Sequence, residues 1–149
     1  MTARALVALA LALVAPIGLA EAGASAQPHG RLVAMSTFGG LPPPGDPTSE
    51  TLTVSTTGAC ALTYSGAPAR TARRFRIAPT MLSTLKQDLR KTRFATLKRV
   101  YTGRAIDYPV VQVTYGGRSV ELRDGATGPR RLRPAVALLQ RIVRQHSGP

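Results

Sequence analysis

Side chains able to perform catalysis are few in this 149-residue chain, and the most suggestive pattern is a serine and a lysine three positions apart. Ser83-Thr84-Leu85-Lys86 fits S-x-x-K, the serine–lysine pair of penicillin-interacting enzymes, and a helix would place the two side chains near each other. That chemistry also needs S-D-N and K-T-G elements, which the sequence lacks. Because a short pattern with two free positions recurs by chance, we interpret it as a coincidence.

Metal ligands and nucleophile–base pairs are equally sparse. His29 and His146 lie towards opposite ends of the predicted domain, and Cys60 is the only cysteine. These residues cannot supply four ligands to a tetrahedral metal, and a histidine in the last four residues is poorly placed to act as a base. With one cysteine there is no internal disulfide, and the flanking Ala59 and Ala61 predict that the thiol is buried as a small hydrophobic group.

The acidic residues do not suggest a pair of catalytic carboxylates facing one cleft. Beyond the N-terminal segment they are scattered over predicted turns, surfaces and loops: Asp46, Glu50, Asp88, Asp107, Glu121 and Asp124. Asp107 alone has distinctive neighbours, and we expect it to hydrogen-bond the backbone of the turn that precedes Pro109. The sequence therefore predicts no catalytic residue, no metal and no cofactor.

A net charge of +13, from 20 Lys+Arg against 7 Asp+Glu, is the one extreme value in the composition. Such a charge favours anionic partners. Arginine outnumbers lysine 17 to 3 and asparagine is absent, a profile that a GC-rich coding bias could also produce. The aromatic residues fall at core positions and do not alternate with the basic ones on a surface, which argues against nucleic acid as the partner.

The first 26 residues are predicted to be a secretory signal. Arg4 precedes an unbroken apolar run, Pro16 and Gly18 interrupt it, and Ala24-Ser25-Ala26 offers the small–x–small pattern of a cleavage site. We expect cleavage after Ala26, an exported protein (secreted, periplasmic or held in the cell envelope), and no membrane span afterwards. Arg4 and Glu21 leave together, so the exported domain keeps the charge of +13.

The remaining residues, 27–149, are predicted to form a single domain. Alternating patterns indicate strands over 32–37, 51–56, 60–64, 111–115 and 120–122, and a short one over 75–78. Gly116-Gly117 between two alternating runs predicts a hairpin. Prolines dominate the segment 41–47, which cannot pair in a sheet and is predicted to be an extended loop.

Helices are predicted from Pro79 to about Arg93 and from about Pro134 to Gln145. In the first helix the spacing of Leu82, Leu85 and Leu89 marks a core-facing stripe. Together these elements predict an α+β fold, an antiparallel sheet of four to five strands with two helices packed on one face.

Several turn and core positions together resemble a known group of proteins. They are Gly39-Gly40 after the first strand, Phe94-x-x-Leu97 after the first helix, Tyr101, Asp107-x-Pro109, and Pro134 before a leucine-rich helix. This pattern, from Phe38 to the C-terminus, resembles small bacterial exported domains of unknown function and, more loosely, the emfourin-like inhibitors of thermolysin-type metallopeptidases. The resemblance implies a fold of strands and helices that blocks a peptidase through its loops.

The sequence thus predicts an exported, non-enzymatic binding domain that contacts another protein or an anionic envelope polymer. Two more specific functions stay open: inhibition of a metallopeptidase, and adhesion to an anionic polymer of the cell envelope. The predicted contact surface combines loops with an arginine-rich face. Its candidate residues are Phe38, Gly39, Gly40, Pro43, Pro44, Arg73, Arg74, Arg90, Arg93, Arg104 and Asp107.

Overall fold

A computed structural model describes residues 30–66, 70–105 and 107–147 of the chain. The predicted signal segment, its cleavage site after Ala26, and His29 lie outside these residues. Within the described part, no helix has both the length and the apolar character needed to cross a membrane.

Within these described residues, seven strands form one sheet, accompanied by two helices and a short 3₁₀ helix (Phe94–Thr96). The strands are β1 (Arg31–Phe38), β2 (Ser49–Ser55), β3 (Ala59–Ser65), β4 (Arg73–Arg76), β5 (Val100–Thr102), β6 (Val110–Tyr115) and β7 (Arg118–Arg123). The helices are α1 (Pro79–Lys91) and α2 (Arg133–His146). The spatial order of the strands is β4-β3-β2-β1-β6-β7-β5, so β1 lies at the centre.

One face of the sheet supplies the hydrophobic core. Val33 and Met35 of β1 pair with Val54 and Leu52 of β2, and with Tyr115 and Val113 of β6. Because side chains alternate between the two faces of a strand, these residues share the face that the helices cover. Leu85 and Leu89 of α1 and Leu139 and Ile142 of α2 are fully buried in the same cluster. The predicted stripe of the first helix is therefore confirmed at Leu85 and Leu89, and Leu82 is partly buried against the same cluster. Phe94 and Leu97, which follow this helix, are buried as well.

The α+β class is confirmed, but the prediction of four to five antiparallel strands is wrong. The sheet has seven strands, and β5 runs parallel to β7, pairing Val100 with Glu121 and Thr102 with Arg123. Alternation over three residues is too short to distinguish β5 from a loop, and parallel pairing depends on a distant partner. At the opposite edge, the short strand predicted over 75–78 is found two residues earlier, as β4 (Arg73–Arg76). Its pairing with β3 runs from Ala59–Arg76 to Leu62–Arg73.

Cys60 is buried, as the flanking alanines predict, with 4% of its surface exposed. Its Sγ lies 3.6 Å from the Gly58 carbonyl oxygen. Burial disfavours the charged thiolate and raises the pKa of the thiol to about 11. At neutral pH the residue is therefore an uncharged part of the core.

Candidate functional site

Two loops meet at one end of the sheet because the strands that carry them are neighbours. Residues 39–48 connect β1 to β2, and residues 103–109 connect β5 to β6. Strands β1 and β6 are antiparallel, and Phe38, the last residue of β1, pairs with Val110, the first of β6. The end of one strand therefore lies beside the beginning of the other. We call these two segments the paired loops.

The paired loops touch through their backbones at Gly40 and Asp107. A Cβ on Gly40 would lie 3.4 Å from the Asp107 carbonyl oxygen and 3.6 Å from the Pro109 nitrogen. Gly40 has φ of +79° and Asp107 has φ of +60°. Glycine adopts positive φ without cost, and Asp is among the side chains that best tolerate it, so both residue types suit the junction.

Hydrogen bonds and an ion pair hold the second half of the first of the paired loops. The Asp46 amide donates to the Pro43 carbonyl at 3.0 Å, and the Thr48 amide donates to the Ser65 carbonyl at 2.8 Å. The Arg70 guanidinium lies 3.3 Å from Asp46 Oδ1 and 5.5 Å from the centroid of the Tyr64 ring. Prolines inside the loop fix φ as well. These contacts and the prolines restrict the conformations open to the segment.

The second of the paired loops packs against the segment that follows β7. The Gly103 amide donates to the Arg123 carbonyl at 2.9 Å, and the Ala105 amide donates to the Asp124 carbonyl at 3.1 Å. A Cβ on Gly103 would collide with the Asp124 carbonyl oxygen and lie 2.8 Å from the Ala126 nitrogen. Glycine is required here by the close approach of two backbones.

Each of the paired loops exposes a large apolar side chain. Leu41 is 86% exposed and Tyr108 is 60% exposed. In the described part of the chain only one other large hydrophobic residue is exposed, Val100 at 41%, on the edge strand β5. Since single exposed apolar residues are common, the informative feature is that the two most exposed ones lie on loops that touch.

A cleft of about 530 Å³ separates the paired loops from the end of α2. Its charged lining residues are Asp46, Glu50, Asp107, Arg70 and Arg144. The Ser147 hydroxyl donates to Glu50 Oε1 at 2.8 Å, which ties the last turn of α2 to β2. The cleft therefore has a mixed charge, with acids from both of the paired loops facing arginines.

Residues considered for catalysis are engaged in other contacts. The His146 ring stacks on Phe75 with centroids 3.7 Å apart, and its Nδ1 lies 2.9 Å from the Ile142 carbonyl. Lys86 Nζ donates to the Thr56 carbonyl at 2.8 Å. No group of three His, Cys, Asp or Glu side chains that could hold a metal occurs among the described residues.

Of the acids, Glu121 lies on the sheet face predicted for it, whereas Asp107 differs in role from expectation. Glu121 alternates with the buried Val120 and Leu122, so it lies on the sheet face opposite the helices. Its hydrogen bonds from Arg123 lower the pKa of the Glu121 carboxyl. Asp107 is exposed, and its carboxylate makes no hydrogen bond to any described residue, contrary to the predicted bond within the turn before Pro109.

The predicted contact residues do not form one surface. Phe38, Gly39, Gly40, Pro43, Pro44, Arg104 and Asp107 lie in the paired loops or at their margin. Arg73 and Arg74 lie on β4 at the sheet edge, where Arg73 Nη1 donates to the His146 carbonyl at 3.1 Å.

Arg90 and Arg93 lie at the C-terminal end of α1, remote from the paired loops. Phe94 beside them packs edge-to-face on Tyr115, with ring centroids 5.7 Å apart. Tyr115 is the last residue of β6, whereas the paired loops adjoin its first residue, Val110. Arg90 and Arg93 therefore lie at the opposite end of the sheet from the paired loops.

Leu41 and Tyr108 were missed as candidates, although each stands directly beside a predicted residue. Both occur in segments of glycine, proline or acid, outside every alternating or helical pattern. An apolar residue that no periodicity assigns to the core is the signal that could have identified them.

No protein-family model matches the chain, and no curated protein sequence is significantly similar to it. The similarity to emfourin-like inhibitors therefore stays a prediction from the residues quoted above. Loop geometry and side-chain chemistry are the basis on which a function can be proposed.

Proposed function

We propose that this chain is an exported, non-enzymatic domain that docks onto another protein through the paired loops. The observation that carries the proposal is the exposure of Leu41 and Tyr108 on two loops whose backbones touch at Gly40 and Asp107. The apolar run and small–x–small pattern of residues 1–26 support export.

The energetics favour a protein partner for these side chains. Burying a leucine side chain contributes about 1.5–3 kcal/mol, and tyrosine is among the residues most enriched at binding hot spots. Leu41 and Tyr108 bury little of this surface in the free protein. A partner with an apolar pocket would recover that free energy on association.

Loop rigidity also favours binding, because an ordered loop loses less conformational entropy on association. The first of the paired loops is fixed by Pro42, Pro43 and Pro44, by the Asp46 amide bond to Pro43, and by the ion pair with Arg70. The second is fixed by its backbone bonds to the segment after β7.

Inhibition of a secreted metallopeptidase is the specific version of this function that one observation favours. Leu41 is an exposed apolar residue followed by three prolines, which lack backbone N–H donors. Extended substrates pair with a binding cleft through main-chain hydrogen bonds, and this segment cannot complete that pairing. Leu41 could thus enter an apolar subsite while the chain resists cleavage.

Titration of thermolysin-type and other secreted peptidases with the protein tests the inhibitory function. We expect loss of peptidase activity at micromolar protein or below, and at least tenfold weaker inhibition by Leu41→Ser/Tyr108→Ser. Val100→Ser, which removes an exposed apolar residue away from the paired loops, is the matched control. Full peptidase activity at micromolar wild-type protein would exclude inhibition of the peptidases tried.

A further inference from the structure

Seven exposed cations surround the end of α1. We call them the basic patch: Arg90, Lys91, Arg93, Lys98, Arg99, Arg130 and Arg131. Three chain segments contribute to it, namely the last turn of α1, the residues on either side of the 3₁₀ helix, and the loop before α2.

Hydrogen bonds hold these three segments against one another. The Thr92 hydroxyl donates to the Asp88 carbonyl at 2.7 Å and lies 3.3 Å from the Arg131 carbonyl oxygen. Arg131 Nη2 donates to Thr96 Oγ1 at 2.8 Å. Thr92 itself is fully buried. These bonds hold the end of α1, the 3₁₀ helix and the loop before α2 side by side, so the cations that they carry lie in one region of the surface.

None of these cations is paired with an acid in the described part of the chain. The two ion pairs found there join Arg70 to Asp46 and Arg123 to Glu121. Two acids lie beside the patch: Asp88, two positions before Arg90, and Glu121, whose amide donates to the Arg99 carbonyl at 2.7 Å. Asp88 makes no ion pair with any described residue, and the Glu121 carboxylate pairs with Arg123 outside the patch. The patch thus concentrates positive charge that the fold leaves uncompensated.

A structural role accounts for only part of this charge. Arg90 and Lys91 lie in the last turn of α1, where a cation interacts favourably with the helix dipole. That interaction fades beyond the last turn, so it does not explain Lys98, Arg99 or Arg130. Like charges placed together repel one another, and a bound anion relieves that repulsion.

We infer that the basic patch binds a polymer with repeated phosphate groups, of the kind found in a cell envelope. Arginine presents a planar fork of donors that matches phosphate oxygens, and arginine supplies most of the patch. Nucleic acid fits less well, because binding of single strands relies on exposed aromatic rings. Phe94 is 4% exposed, and the Tyr101 hydroxyl accepts a hydrogen bond from the Lys98 amide.

The inference shares with the proposed function only the export of the domain, because the basic patch and the paired loops are formed by different residues. Phe94, next to Arg93 of the patch, packs on Tyr115 at one end of β6, and the paired loops adjoin Val110 at the other end. A six-residue strand separates its ends by roughly 17 Å. A polymer on the patch would leave Leu41 and Tyr108 free for a protein, and the domain would be held at the envelope while it binds.

Binding of fluorescent poly(glycerol phosphate) to the full chain, measured by anisotropy between 20 and 200 mM NaCl, tests the inference. The patch variant is Lys98→Gln/Arg99→Gln/Arg130→Gln/Arg131→Gln. Its matched control, Arg74→Gln/Arg76→Gln/Arg141→Gln/Arg144→Gln, removes the same charge elsewhere. We expect at least tenfold weaker binding by the patch variant at 50 mM NaCl and less than threefold weakening by the control.

The salt dependence should change in the same way. Each phosphate contact on a single-stranded polyanion contributes about 0.7 to the log–log slope, so loss of four cations should reduce it by roughly 2 to 3. Equal weakening in both variants would overturn the inference, since it would show an effect of net charge alone. Should the patch variant fail to fold, Lys98→Gln/Arg99→Gln should still reduce the slope by about 1, and an unchanged slope would overturn the inference.

Two competitor polymers decide the chemistry of the partner. Poly(glutamate) of equal charge presents carboxylates in place of phosphates. It should bind at least fivefold more weakly than poly(glycerol phosphate) if the patch recognises phosphate and not charge alone. Oligothymidylate binding more tightly than poly(glycerol phosphate) would overturn the choice of partner in favour of nucleic acid. Leu41→Ser/Tyr108→Ser should bind the phosphate polymer as wild type does.

Discussion

The backbone of Gly40 lies against the carbonyl oxygen of Asp107, and both residues have positive φ. A Cβ on Gly40 would approach that oxygen to 3.4 Å, the limit of ordinary contact. This contact joins the loop that follows β1, at the centre of the sheet, to the loop that follows β5, at its edge. Leu41 and Tyr108 directly follow the two residues that form it, one on each loop.

Substitution of Gly40 should disrupt the junction more than substitution of its neighbour Gly39. Both residues have φ near +78°, but a Cβ on Gly39 would meet nothing within 4 Å. An L-residue in this region costs roughly 1–2 kcal/mol at either position. In Gly40→Val the methyl groups would extend beyond a Cβ that is already in contact with the second loop. The free energy of unfolding in urea should be lower for Gly40→Val than for Gly39→Val. Equal values would mean that the two loops do not contact each other at Gly40.

Gly103→Ala should be strongly destabilising even though Gly103 does not have positive φ. The added methyl group would collide with the Asp124 carbonyl and the Ala126 nitrogen, and overpacking against backbone costs roughly 2 kcal/mol or more. Gly116→Ala, with positive φ but open space around it, should cost only about 1 kcal/mol. Thermal unfolding of both variants measures the two losses of stability. A smaller loss for Gly103→Ala than for Gly116→Ala would contradict the prediction.

The Cys60 thiol should make stability depend on pH under alkaline conditions. Its pKa is raised by burial from 9.0 to about 11, so the native state keeps the proton that the unfolded chain loses. The resulting stabilisation is present below pH 9 and is lost as the pH rises towards 11. Compared with Cys60→Ala, the wild type should lose about 2 kcal/mol more unfolding free energy over that range.

Alkylation offers a second measurement on the same thiol. Iodoacetamide at pH 8 should modify Cys60 at least a hundredfold more slowly in the native protein than in urea, because the side chain is 4% exposed. Similar rates in the two states would show that the thiol is accessible.

Arg70→Gln should loosen the first of the paired loops with little effect on global stability. The Arg70 and Asp46 side chains are 35% and 47% exposed, and such surface pairs contribute less than about 1 kcal/mol. Hydrogen exchange of the Asp46 amide, which is bonded to the Pro43 carbonyl, should become faster. The control is Arg74→Gln, on β4, which follows Arg70 in the chain. Equal exchange rates of the Asp46 amide in the two variants would contradict the role of the ion pair.

Local pattern was sufficient to predict the elements that bury a continuous apolar face. Leu85 and Leu89 repeat at helical spacing, and Gly116-Gly117 joins two alternating strands, so α1 and the β6–β7 hairpin follow from short-range chemistry. Strand β5 could not be predicted in the same way. Its three residues form a strand only because Arg99 and the following residues meet β7, about twenty positions away.

The candidate site was predictable only in part. Gly39, Gly40 and Asp107 are chemically distinctive and were singled out, but their proximity depends on β1 pairing with β6, a contact across more than seventy residues. Leu41 and Tyr108 were overlooked because exposure cannot be read from an apolar residue by itself. Net charge indicated a basic surface without showing that its cations divide between separate parts of the fold.

Retention of secreted proteins by the immobilised domain tests most directly whether the paired loops carry the binding surface. Culture medium is passed over wild type, Leu41→Ser/Tyr108→Ser and Val100→Ser, and the retained proteins are quantified by mass spectrometry. Wild type and Val100→Ser should enrich the same protein, and the loop variant should retain at least tenfold less of it. Equal retention of that protein by all three domains would contradict the account.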